Sequence, residues 1–135
     1  MHSARLRRQD GFIRGTLWLV LSLAVLAVVV LDGLAIFNAQ QSVKTNARTA
    51  AANAQAEYAQ TADVGAAKLA AQQYLIRVNK KLVAFSAVAG LDGATVFTVT
   101  AGAHADTHVF KFLRYVGLKK WVNRMTNPTA TGTAN

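Results

Sequence analysis

Thr16-Leu-Trp-Leu-Val-Leu-Ser-Leu-Ala-Val-Leu-Ala-Val-Val-Val-Leu31 is the stretch on which the reading of the fold turns. It is entered from a basic leader and left through one acidic residue, Asp32. A bilayer core about 30 Å thick takes roughly 20 mostly apolar helical residues. Thr16 to Phe37 supplies 22 of them with Asp32 as the single charge, so the expectation is one membrane-crossing helix. The alternative is a cleaved secretory signal ending at an A-x-A-like site around Gly33 and Ala35. Signal cores are shorter, however, about 7 to 15 residues, and are followed by a polar start. Here an alanine-rich stretch follows and reads as the same helix continuing.

Working outward, Arg5, Arg7, Arg8 and Arg14 precede the span against Asp10 alone, whereas the first 20 residues beyond it carry only Lys44 and Arg48. Lysine and arginine close to a span favour the cytoplasmic side. The expected topology is therefore a single pass through the cytoplasmic membrane, with a disordered leader, residues 1–15, inside and residues 38–135 outside. Trp18 fits an interfacial anchor at the inner end.

The remaining 98 residues suffice for one small domain. There is no cysteine, which excludes disulfides, thiolate metal sites and a cysteine nucleophile. This external part holds eleven Lys/Arg against Glu57, Asp63, Asp92 and Asp106, a balance of +7. Such a surface favours lipid head groups, acidic polymers or nucleic acid, or is simply a solvated basic face.

Residues 38–60 contain no Pro or Gly and are rich in alanine, the best helix former. Val43, Ala47, Ala50, Ala54 and Tyr58 recur at intervals of three and four, a narrow stripe that buries little and permits close approach by another helix. The expectation is one helix from about Gly15 to Gln60, roughly 65–70 Å at 1.5 Å per residue. Its stripe, with Ala47, Ala50 and Ala54 at the centre, would pack against other membrane or filament subunits.

A small α+β domain is expected over residues 61–126. Thr61 or Asp63 can cap a second helix whose stripe runs Val64, Ala67, Ala71, Leu75, Val78, Leu82 and Phe85. Leu82 to Val88 also reads as a strand with Val83, Phe85 and Ala87 on one face. Gly90-Leu-Asp-Gly93 is a turn, and the Thr/Val-rich run after it completes a hairpin, with Phe97, Val99 and Ala101 facing one way. Ala105–Tyr115 reads as a short helix or irregular strand ended by Gly117, and Lys119–Met125 as a third strand. Residues 127–135 form a polar tail expected to fray.

These features together resemble a family. Asp32-Gly-Leu-Ala35 leaving the span, the alanine-rich helix, and the strand Gly93-Ala-Thr-Val-Phe-Thr-Val-Thr100 resemble the TadE-like minor pseudopilins of tight-adherence (Flp) pilus systems, especially the actinobacterial kind. The resemblance covers most of the chain from Asp10 onward and implies a pilin-like fold in an accessory subunit of a secreted filament. The chain departs from the pattern at the peptidase site. Such substrates are cut after a Gly and usually carry Glu at the fifth mature position, where cleavage after Gly11 gives Thr16 and after Gly15 gives Val20.

Chemistry-bearing clusters are sparse. His104 and His108, four apart around Asp106, have the spacing at which a helix presents two metal ligands, but no third ligand follows. Ser22, Ser42 and Ser86 have no nucleophile signature around them, so no enzyme, cofactor or small-molecule substrate is expected. Asp32 either reaches water at the outer interface or pairs with a charge of a neighbouring subunit. Lys111, Arg114, Lys119, Lys120 and Arg124, interleaved with aromatic residues, are the candidate contacts for a polyanion or an anionic membrane surface, the aromatics being equally suited to a small core. Two other roles fit the same sequence: an accessory subunit of an unrelated membrane complex, and a polyanion-binding surface protein.

Overall fold

The computed structural model describes residues 3–91 and 93–135, with side chains from Ile13 onward. In chain order the elements are α1 (Ser3–Thr61), α2 (Val64–Arg77), β1 (Lys81–Ala89), β2 (Thr95–Gly102), α3 (Val109–Leu113), a 3-10 turn (Arg114–Val116), α4 (Lys119–Thr126) and β3 (Thr129–Ala134). The fold is α+β. A helix of 59 residues, about 88 Å long, is the spine on which everything else is laid.

The helix begins at Ser3, not at Gly15, so the described part of the leader, residues 3–15, is helical; residues 1–2 lie outside the described residues. Ala4, Leu6, Gln9 and the arginines are all strong helix formers, and they outweigh Gly11 and Gly15 at about 1 kcal/mol each. At the far end Ala62 adopts φ 54° and its N–H is bonded to the Tyr58 carbonyl at 2.8 Å. Asp63 then caps α2, accepting from the Gly65 N–H at 2.7 Å.

α2 folds back along the spine. The Tyr74 hydroxyl donates to Asn46 Oδ1 at 2.9 Å, and Ala67, Ala71 and Leu75 are fully buried. The helix stops at Arg77 because Asn79 turns left-handed, φ 56°. The Lys80 N–H then reaches the Leu75 carbonyl at 2.7 Å and the Asn79 N–H the Ile76 carbonyl at 3.0 Å, the two bonds that close a Schellman cap. Leu82 and Phe85 therefore belong to a strand and not to the helical stripe.

The sheet is antiparallel in the order β1-β2-β3. Phe97, Val99 and Ala101 of β2 alternate inward and are fully buried. In β1 the pairing slips between Leu82, opposite Ala101, and Ala84, opposite Thr100. Val83 is the extra residue of this bulge, which flips it to the outer face. Leu82, Phe85 and Ala87 face the core and Val83 is exposed, a correction to the expected Val83, Phe85, Ala87 face.

Two further corrections concern the C-terminal part. Lys119–Thr126 is a helix, because Val122 and Thr126, one turn apart, are the pair that is buried. The expected fraying tail is β3, paired with β2 from Phe97↔Ala134 to Gly102↔Thr129. It lies directly on the spine: a β-carbon built on Gly132 would collide with the Ala47–Arg48 peptide of α1. A strand made of Thr, Ala and Gly reads as polar and flexible, yet small side chains are what allow a strand to reach a helix backbone.

The core is the volume between these layers: Val43, Ala47, Ala50, Ala51 and Ala54 of α1, Ala67, Ala71 and Leu75 of α2, and Phe97, Val99 and Ala101 of β2. Tyr58 and Phe85 flank Phe97, with ring centroids 5.2 and 6.1 Å away. The alanine stripe expected to meet other subunits is thus covered by the chain's own α2 and sheet. A surface of methyl groups accepts any closely packed partner, and the sequence carries that partner itself.

Candidate functional site

The part of the molecule with most unspent chemistry lies where the clad portion of α1 gives way to the bare one. From Ile13 to Leu31 the side chains of α1 are exposed except for the half-buried Val28, and Trp18 is among the exposed ones. At the next residue the situation reverses, with Asp32 1% exposed. Its Oδ1 accepts the backbone N–H of His108 at 2.8 Å, and its Oδ2 those of Val109 and Phe110 at 2.7 and 3.1 Å.

Those amides open α3, whose first N–H groups have no intrahelical acceptor. His108, at the N-cap position, makes no side-chain cap bond. A carboxylate from a distant helix does the capping, through charge-assisted bonds of the kind favoured at a helix N-terminus. Asp32 therefore neither reaches water nor remains available to a neighbouring subunit, and both expectations for it are corrected. Sequence spacing held no signal for this, because the partners are backbone groups about 77 residues away.

α3, the 3-10 turn and α4 form a small helical corner held by this clamp. Gly117, at φ 86°, reverses the chain between the turn and α4. Phe110 and Trp121 meet with ring centroids 5.8 Å apart, and Arg114 donates to Asn123 Oδ1 at 2.7 Å, its Nε buried without a partner. Of the basic residues singled out from sequence, Lys111, Lys119, Lys120 and Arg124 are exposed on this corner, while Arg114 is half-buried. Beside them Phe112, Tyr115, Val116, Leu118 and Trp121 are exposed, Tyr115 to 85%.

A cleft of about 490 Å³ opens between the corner and the preceding loop, lined by His104, Asp106, His108, Lys111, Arg114 and Val122 among others. The two histidines do not share a helix face, since residues 103–107 have no regular structure. His104 Nδ1 lies 2.8 Å from Asn127 Oδ1. Among the described residues no group of three or more His, Asp or Glu is placed to hold a metal ion. No protein-family model, curated protein or solved structure matches the chain.

Proposed function

We propose that this chain is a non-enzymatic, membrane-anchored, pilin-like protein that serves in the assembly of a pilus or secretion apparatus at the cell envelope. The basic leader lies in the cytoplasm and the α+β domain outside. The observation that carries the reading is the division of one continuous helix into a bare apolar half and a clad half. Twelve large apolar side chains between Ile13 and Leu31 are substantially exposed. At about 1.5 kcal/mol or more apiece, leaving them in water would forfeit more than the whole stability of an ordinary domain.

The bare segment Ile13–Leu31 spans 19 residues, about 28 Å of helix, which matches a hydrocarbon core. It is long and apolar enough to cross a membrane. A helical spine with a small antiparallel sheet on its distal half suits a subunit that is held in the bilayer by one end and presents a domain at the other. The likeness to TadE-like pseudopilins rests on the sequence features quoted above.

Carbonate-washed membranes carrying the full chain test the anchor, and protease added from outside tests the topology. The expected result is retention in the membrane, loss of the α+β domain to protease, and co-purification with a pilus ATPase and its platform proteins. Recovery in a stable bioenergetic complex would remove the pilus reading. The mass of the mature N-terminus reports whether cleavage after Gly11 takes place.

A further inference from the structure

We propose that the corner formed by α3, the 3-10 turn and α4 is a membrane-surface foot, which lies on anionic phospholipid head groups beside the point where the span leaves the bilayer. This rests on the membrane-anchored reading of α1.

Three independent features converge on the corner. The first is position: the Asp32 clamp fixes the start of α3 at the residue where the largely exposed run Ile13–Leu31 ends, with the exposed Leu34 and Phe37 of α1 within two turns of it. The rest of the sheet leads away from that level. Gly132 sits over Ala47–Arg48, and Ala134 pairs with Phe97, whose ring meets Tyr58. The Thr129 end of β3, which α4 feeds, is consequently the end nearer the bare segment.

The second is charge. Between Thr107 and Asn127 there are five Lys/Arg and no Asp or Glu, and four of the five are exposed. Each lysine or arginine near an anionic bilayer surface strengthens partitioning about fivefold. The third is the company these cations keep. Phe112, Tyr115, Val116, Leu118 and Trp121 are exposed on the same short segment, although a free-standing domain has no reason to leave so many there. Aromatic rings with cations beside them are the composition that settles at head-group depth. A nucleic acid or wall polymer would use the cations but would give the exposed Val116 and Leu118 nothing to bury against, whereas lipid serves both.

The experiment uses the full chain in vesicles, with Trp18→Phe so that Trp121 is the single tryptophan. The vesicles contain 1-palmitoyl-2-oleoyl phosphatidylcholine alone, or with about a third phosphatidylglycerol at low salt, each with and without brominated acyl chains. Trp121 is expected to be blue-shifted and bromine-quenched in the anionic vesicles. The triple variant Lys119→Gln, Lys120→Gln, Arg124→Gln should weaken that engagement on the order of 100-fold, with the helical circular dichroism unchanged. A chain that floats with vesicles while Trp121 stays in water would overturn the foot and leave the anchor standing. A chain that does not float would overturn both. Equal quenching in neutral and anionic vesicles would overturn the charge argument. Protection of Trp121 by soluble DNA or polyphosphate with none from lipid would replace the foot with a polyanion site.

Discussion

Asp32 Oδ2 accepts the N–H of Val109 at 2.7 Å across 77 residues of sequence, and this one carboxylate joins the exit of the apolar helix to the start of the helical corner. Replacing it by alanine leaves three amides of a partly buried helix start without an acceptor, a loss of about 2–3 kcal/mol. Asp32→Asn keeps one acceptor oxygen and should lose less. Hydrogen exchange at His108, Val109 and Phe110 reads the effect directly. Acceleration is expected in the order Ala, then Asn, then wild type, with α2 and β2 amides little affected. Uniform acceleration throughout the domain would mean that the clamp supports the whole fold and not the corner alone.

Gly132→Ala is expected to be among the most damaging single-methyl changes in the domain. Its β-carbon has no room against the Ala47–Arg48 peptide, and helix backbone does not yield as a side chain does. A loss at or above the upper end of the usual 1–3 kcal/mol for overpacking is expected. Thr131→Ala, one residue away, removes an exposed hydroxyl contact to Thr100 at 3.1 Å and should stay below about 1 kcal/mol. Thermal melts of the two variants in detergent compare them, and similar melting temperatures would contradict the close packing of β3 on α1.

These two sites also mark the limit of what was legible in the sequence. Apolar runs and small-residue periodicity located α1, the buried face of α2 and the β2 strand, because each follows from spacing within one element. The strand β3 (Thr129–Ala134) and the helix α4 (Lys119–Thr126) are not legible from spacing, since their structure is set by what they touch. The Thr/Ala/Gly composition of β3 is a tail until a helix backbone lies under it, and Lys-Lys-Trp-Val is a strand until Val122 and Thr126 find the same pocket. Asp32 was conspicuous as a lone charge, but backbone amides are the partner that no side-chain pattern announces. The Val83 bulge is a similar case, one unpaired residue that reverses a face.

The left-handed Asn79 offers a test of how α2 is ended. Asparagine tolerates φ near 56° better than most residues, and glycine better still. Asn79→Gly should leave stability within about 0.5 kcal/mol of the parent, whereas Asn79→Val should lower it by about 1–2 kcal/mol. Chemical denaturation of both resolves the difference. A neutral valine would imply that Lys80 and Lys81 enter β1 by some other route.

The hydrogen bond from the Tyr74 hydroxyl to Asn46 Oδ1, at 2.9 Å, is the polar tie between α2 and the spine, and Asn46 is itself oriented by donating to Ser42 Oγ at 3.2 Å. Because alanine methyls supply most of the contact between these helices, little in the apolar packing fixes their relative slide, and a directional bond can do so. Tyr74→Phe keeps the ring and deletes the bond, for an expected loss of about 1 kcal/mol. Asn46→Ala should lose a comparable amount. If the two residues act on each other, the double variant is less damaged than the sum of the singles by about 0.5–1 kcal/mol. Strict additivity in that cycle would assign the register of α2 to the alanine stripe alone, and with it the placement of Leu75 in the core.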